Sequence, residues 1–169
     1  MDGRVDGEVA GQPMTDLSYT LVGWREWVSL PSVGVRWIKA KIDTGARTSA
    51  IHAFDMEELE RDGARWVRYR IHPWQKSDDD AVEVESEVVD QRVVRSSNGQ
   101  EEERLVVVHD VRLAGRVVPA EVTLSRRDEM GFRMLIGRQA LAQGYVVDAG
   151  LSYAGKRPKR AVRRQNWGR

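Results

Sequence analysis

The chain contains no cysteine. Disulfides, thiolate zinc sites and a cysteine nucleophile are therefore excluded, and a reducing compartment fits the composition. No apolar run approaches the roughly 20 residues that a membrane-spanning helix needs. The opening residues, MDGRVDGEVAGQPM, lack the basic start and apolar centre of a secretory signal. The expected location is cytoplasmic. Neither sign of charge dominates: 27 Lys and Arg stand against 26 Asp and Glu, a net charge of +1. No strong overall bias toward nucleic acid or membrane follows. There is no Gly-rich phosphate loop, and no serine sits in a nucleophile-elbow pattern. The three histidines, His52, His72 and His109, form no His-x-x-x-His pair. Their spacing does not favour a zinc site, and each reads as a structural or surface histidine.

What is present is alternation. At 169 residues the chain is long enough for one domain with a real core. Residues 1–18 have few large apolar groups and read as a flexible lead-in. Leu21–Leu30 reads as a first strand, Pro31-Ser32 as a turn, and Val33–Asp43 as a second strand, together a hairpin. Thr48–Ala53 reads as another strand. Phe54–Glu60 reads as a short helix, with Asp55 as N-cap and Glu57 and Glu58 in its first turn. Trp66–Ile71 alternates again, and Pro73–Asp80 is a polar loop. Asn98-Gly99 carries the strongest hairpin signal in the chain, with Arg92–Arg95 before it and Arg104–Val108 after it. Ala114-Gly115 is a turn, Val117–Leu124 a strand with an irregular point or edge at Pro119, and Arg126–Gly131 a charged turn. Met134-Leu135-Ile136 is a short buried strand, Arg138–Gln143 a short helix, and Tyr145–Asp148 a last strand. The domain spans 19–155. Residues 156–169 hold Lys156, Arg157, Lys159, Arg160, Arg163, Arg164 and Arg169 and read as a disordered basic tail. Weak contact with nucleic acid is expected only from that tail. The pattern predicts a mainly β fold, a small closed barrel or sandwich with one or two short helices.

The strand through Ile38, Ala40 and Ile42 runs into Asp43-Thr44-Gly45, a turn that holds a carboxylate at the end of a rigid element. By itself that tripeptide is a weak signal for acid–base chemistry. A second segment adds to it. Ile42-Asp43-Thr44-Gly45-Ala46 resembles the catalytic loop of retropepsin-like aspartic proteases. Met134-Leu135-Ile136-Gly137-Arg138 resembles their second signature. KIDTGARTSAIHA, RVVRSSNGQEEERLVV, VTLSRRDEMGFRMLIGRQAL and the closing VVD look like the bacterial family labelled "ATP-dependent zinc protease". That family is associated with the ligase that adds glutamates to a ribosomal protein. The resemblance covers about Leu21–Tyr153.

The resemblance implies a barrel of retropepsin type with a flap-like hairpin at Asn98 and Gly99. It implies a peptidase with Asp43 as the catalytic carboxylate, Thr44 bracing the loop, and Gly45 approaching an extended peptide. A retropepsin protomer supplies one aspartate, so a homodimer is implied. Arg138 is expected as a structural ion-pair partner near the dimer contact or the active-site loop. Two departures stand out. Arg47 occupies a place where retropepsins usually carry an acidic or polar residue, and Lys41 lies two residues before Asp43. Cations there favour the ionised carboxylate and work against a shared proton. They also suit an acidic, glutamate-rich peptide or protein substrate, which Lys41, Arg47, Arg92 and Arg104 would bind through carboxylate pairing. The family's zinc label finds little support here: no metal ligand set is read, and Asp43 with His52 would need the fold to bring them together. A zinc-dependent metallopeptidase and a non-enzymatic module holding an acidic partner are the alternatives.

Overall fold

The computed structural model describes residues 18–96, 98–126 and 131–165. The N-terminal lead-in up to residue 17, and Arg127–Met130 of the charged turn, lie outside the described residues. In chain order the strands are β1 (Thr20–Val22), β2 (Arg25–Leu30), β3 (Val35–Ile42), β4 (Ser49–His52), β5 (Phe54–Arg61) and β6 (Ala64–Ile71). Then follow β7 (Val82–Glu87), β8 (Asp90–Arg95), β9 (Glu101–Leu113), β10 (Arg116–Ser125), β11 (Met134–Ile136), the short helix α1 (Arg138–Leu141), β12 (Tyr145–Val147) and a second short helix, α2 (Arg160–Gln165). The fold is mainly β, as expected. The segment expected to be a disordered tail contains α2.

Six strands close on themselves in the order β10-β4-β11-β3-β2-β9, with β9 pairing back to β10. The 13-residue β9 makes this closure possible, because it is long enough to pair with β2, β8 and β10. The interior is filled by Val28, Leu30, Ile38, Ala40, Ile51, Val107, Val111, Leu124, Met134 and Ile136, all nearly or fully buried. Alternation places these side chains on one face, as the period-two pattern requires. The β2–β3 hairpin forms as expected, with Val28 opposite Ile38. The Asn98-Gly99 hairpin joins β8 to β9, and Arg95 lies opposite Glu101 at its end.

Two expectations change. The first strand is split. Gly23 stands where a Cβ would lie 2.2 Å from the Leu151 carbonyl oxygen, so β1 leaves the ring there and pairs in parallel with β12. The segment 54–60 is a strand rather than a helix. Its acids face arginines of β6: Glu57 lies opposite Arg68 and Glu60 opposite Arg65. Asp55, the expected N-cap, sits at φ 50° beside a register shift. Cross-strand charge pairing thus overrides the helical propensity of Glu and Met.

The β5-β6-β7 sheet is tied to the ring by a buried polar contact. Tyr69 shares a 2.6 Å hydrogen bond with His109 Nε2, and its hydroxyl also meets Ser86 Oγ at 2.9 Å. Burial raises the Tyr69 phenol and lowers the His109 imidazole to about 4. A second buried group closes the other side. Glu26, fully buried, accepts backbone N–H bonds from Gly23 (2.8 Å), Ala154 (2.9 Å) and Gly155 (2.9 Å). Among the described residues no helix is long and apolar enough to cross a membrane.

Candidate active site

Two segments 90 residues apart in sequence become one unit. β11 pairs in parallel with β3, setting Met134 against Ala40 and Ile136 against Ile42. The Ile136 carbonyl then accepts the Asp43 N–H at 2.9 Å, at the point where β3 ends. Beyond it, the Arg138 N–H bonds the Ala46 carbonyl (2.8 Å) and the Gln139 N–H bonds the Arg47 carbonyl (2.9 Å). The start of α1 therefore uses the loop's carbonyls as acceptors for its own unpaired donors. Gly137 N–H bonds the buried Ser49 Oγ at 3.1 Å. Its position admits no side chain, since a Cβ would lie 2.5 Å from the Thr48 carbonyl oxygen and 3.0 Å from that of Ala46.

Asp43 is half-buried at the head of this loop. Its Oδ1 accepts the Gly45 N–H at 2.9 Å, which fixes the carboxylate against its own turn. Thr44 and Gly45 are exposed. For Arg138 the expected ion pair does not form. Its Nη1 donates instead to the Thr44 carbonyl at 2.9 Å, and it has no carboxylate partner among the described residues. The guanidinium braces the loop through the main chain.

The other named residues divide into two sets. Lys41 and Arg47 are exposed and have no ion-pair partner among the described residues. Lys41 points outward beside Leu135 and Arg25, and Arg25 is itself held between the rings of Trp24 (4.6 Å) and Tyr153 (4.8 Å). Arg92 and Arg104 lie opposite each other on the β8–β9 hairpin and are already paired. Arg92 meets Asp90 (2.7 Å) and Glu121 (3.2 Å), and the Asp90 hydrogen bond holds its guanidinium above its ordinary range. Arg104 is buried and meets Glu102 at 2.9 Å. Asn98 and Gly99 are exposed at the hairpin tip.

Sequence reasoning missed what links these parts. Arg104 Nη1 reaches the Thr123 hydroxyl (3.4 Å), and Thr123 Oγ1 donates to the Ser49 carbonyl (3.3 Å). Ser49 Oγ in turn holds Gly137. A buried line of polar contacts thus joins the hairpin to the aspartate loop. The only signal was a serine and a threonine on otherwise apolar strand faces.

The histidines lie elsewhere in this arrangement. His52 is buried with Nδ1 3.2 Å from the Ser125 carbonyl oxygen. Its ring stacks with Phe54 and His72, and Phe54 and His72 are 4.1 Å apart. Beyond them Asp78 is held below the usual carboxylate range, first by its hydrogen bond from Arg133 and then by the His72 charge. Among the described residues no three His, Asp or Glu side chains are grouped to hold a metal ion. The described residues do not fit a zinc site.

Comparisons with known proteins bear on the family and the fold. A family model described as "Retropepsin-like aspartic endopeptidase RimB" matches residues 21–158. A protein of Shewanella pealeana named "Probable alpha-L-glutamate ligase" is 43% identical over 133 residues, which cover 79% of this chain and 29% of that protein. One of the same name from Desulfotalea psychrophila is 39% identical over 139 residues, covering 82% of this chain and 30% of that protein. The chain thus spans about three tenths of the length of these relatives. A solved structure of a Legionella pneumophila protein of unknown function is similar with a TM-score of 0.68 at 25% identity, covering 81% of this chain and 98% of that one.

Proposed function

The chain belongs to the RimB-like family of retropepsin-like aspartic endopeptidases, and from that premise we propose that it hydrolyses peptide bonds in acidic, glutamate-rich substrates with water activated at Asp43. The observation that carries the reading is the Asp43 loop, assembled from both signatures and exposed at its tip. One Asp43 oxygen accepts the Gly45 N–H, and the other is the one this reading assigns to a water. Each chain offers a single such carboxylate. Two protomers meeting at this loop would place two Asp43 side chains together, and like charges at that range favour a shared proton, against the pull of Lys41 and Arg47 toward ionisation. One carboxylate then takes a proton from water while the other protonates the carbonyl oxygen or the leaving nitrogen. Thr44, exposed beside it, faces the second protomer in this arrangement.

The glutamate preference rests on two supports. Lys41 and Arg47 flank Asp43 with unpaired charge, suited to carboxylate side chains. The relatives' name refers to glutamate, although it describes proteins of which this chain spans a minor part. Arg92 and Arg104 contribute as supports of the hairpin, since their guanidiniums already hold internal acids.

The test is hydrolysis of oligo-glutamate peptides by wild type and Asp43→Asn, with solution mass measured alongside. Asp43→Asn should fold and lose hydrolysis. Full turnover by that variant rejects the assignment, and a strictly monomeric active enzyme rejects the two-aspartate mechanism.

A further inference from the structure

We propose that a second anion-binding site, at the end of the ring opposite Asp43, holds an acidic stretch of the same peptide substrate. The site is a cleft of about 790 Å³ walled by Trp27 and Trp37 and rimmed by Arg36, Arg112, Gly155 and Lys156. Arg36 is the second residue of β3 and Asp43 follows its end, so roughly 23 Å of strand separates the two sites.

The cleft gathers cations that meet no carboxylate. Six arginines elsewhere, Arg61, Arg65, Arg68, Arg92, Arg95 and Arg104, each meet one. Arg36, Arg112 and Lys156 come from three separate segments, are exposed, and meet none among the described residues. The nearest acid on the same strand as Arg112 is Asp110, which accepts a hydrogen bond from Ser32 Oγ at 3.1 Å. The rim is also held in place. Glu26 ties the Ala154 and Gly155 N–H groups, so Lys156 leaves from a fixed point. Trp27 is nearly buried with Lys39 Nζ 5.4 Å from its ring, and Trp37 is half-exposed. Two guanidiniums beside an indole wall suit an extended chain bearing carboxylates, which they pair through two hydrogen bonds each. A nucleic acid fits less well. The whole-chain charge of +1 gives little long-range attraction for a polyanion, and a single half-exposed indole offers one stacking surface.

This inference rests on the proposed peptidase reading for its substrate, and adds a length requirement. A peptide engaging both sites needs at least about ten residues, given at most about 3.5 Å per residue and a path around the ring.

The experiment separates binding from hydrolysis. Full-length Asp43→Asn protein is titrated with a twelve-residue oligo-glutamate peptide and, separately, with single-stranded RNA of equal charge, by calorimetry and Trp fluorescence. The same titration is run with Arg36→Gln/Arg112→Gln added. Peptide affinity should fall about a hundred-fold in that double variant, about ten-fold for each guanidinium removed. In the active protein the same pair should raise KM for the twelve-residue peptide while leaving KM for a four-residue peptide in place. Unchanged peptide affinity in the double variant overturns the proposal, as does tighter binding of RNA than of peptide. Binding that follows the prediction without any hydrolysis by wild type would instead overturn the peptidase reading and leave this site standing.

Discussion

Replacing Gly137 by alanine tests whether the two signatures must touch for the site to exist. The backbone at Gly137 has φ −97° and ψ 178°, extended geometry open to any residue, so the penalty is steric. The new Cβ would lie 2.5 Å from the Thr48 oxygen, 2.6 Å from the Thr48 carbonyl carbon and 3.0 Å from the Ala46 oxygen. Ordinary separation is about 3.5 Å or more, so the Ala46–Thr48 stretch must retreat by about 1 Å. That stretch supplies the acceptors for the Arg138 and Gln139 N–H groups at 2.8 and 2.9 Å. A 1 Å retreat takes both bonds beyond useful length. Breaking two bonds at about 1 kcal/mol each, with about 1–3 kcal/mol of overpacking, outweighs the gain of about 0.4–1 kcal/mol from a stiffer unfolded chain. The net cost is about 3 kcal/mol, or roughly 6–12 °C in Tm for a domain of this size. Because the Ala46 N–H also bonds the Asp43 carbonyl, hydrolysis should fall with the same change. Circular dichroism melts and a peptide assay measure both. A Tm within about 2 °C of wild type, with full turnover, refutes the argument.

Gly45→Ala should behave differently, because its Cβ meets only Asp43 Oδ1, at 3.1 Å. The carboxylate must give by a few tenths of an ångström, so Tm should hold while turnover drops about ten-fold; wild-type turnover would count against Asp43 as the reacting group. Glu26→Ala leaves one buried and two part-buried N–H donors without their acceptor and should cost about 2 kcal/mol in urea unfolding, while Glu26→Gln, which keeps one oxygen, should cost less. Equal stability of the two variants would show that the clasp does not matter. For His109 the sign follows from a lowered folded value of about 4 against an ordinary 6.5. Between those values the unfolded chain binds a proton that the folded one refuses. Stability present above pH 6.5 is therefore lost as pH falls toward 4, by at most about 3 kcal/mol, and then levels off. Urea midpoints from pH 7 to 4 should show that slope in wild type and a flatter one in His109→Gln.

The alternation Ile38-Ala40-Ile42 and the apolar run Met134–Ile136 were readable because each carries one burial pattern along a short strand. Their pairing could be expected only from resemblance, since no local rule joins residues so far apart. Phe54–Glu60 was misread because its acids are as good in a helix turn as opposite an arginine, and the deciding arginines lie on the next strand. The split at Gly23 depends on Leu151, more than 120 residues away, and no signal near Gly23 announces it. The Arg92 partner Glu121 lies on a strand 29 residues away and depends on tertiary pairing, whereas the Arg104 partner Glu102 stands two residues away on the same strand face and was in view.

The parallel seam between β3 and β11 also governs when the site can come into being. Asp43 is made early in the chain, but the carbonyl that holds its N–H belongs to Ile136. Bringing those ends together means closing a loop of about 90 residues, an entropic cost of about 4 kcal/mol that no nearby contact offsets. The aspartate loop therefore forms with the closure of the ring itself, since β11 is the strand that joins β4 to β3. A growing chain that has not yet reached Ile136 lacks the carbonyl that holds Asp43 in place.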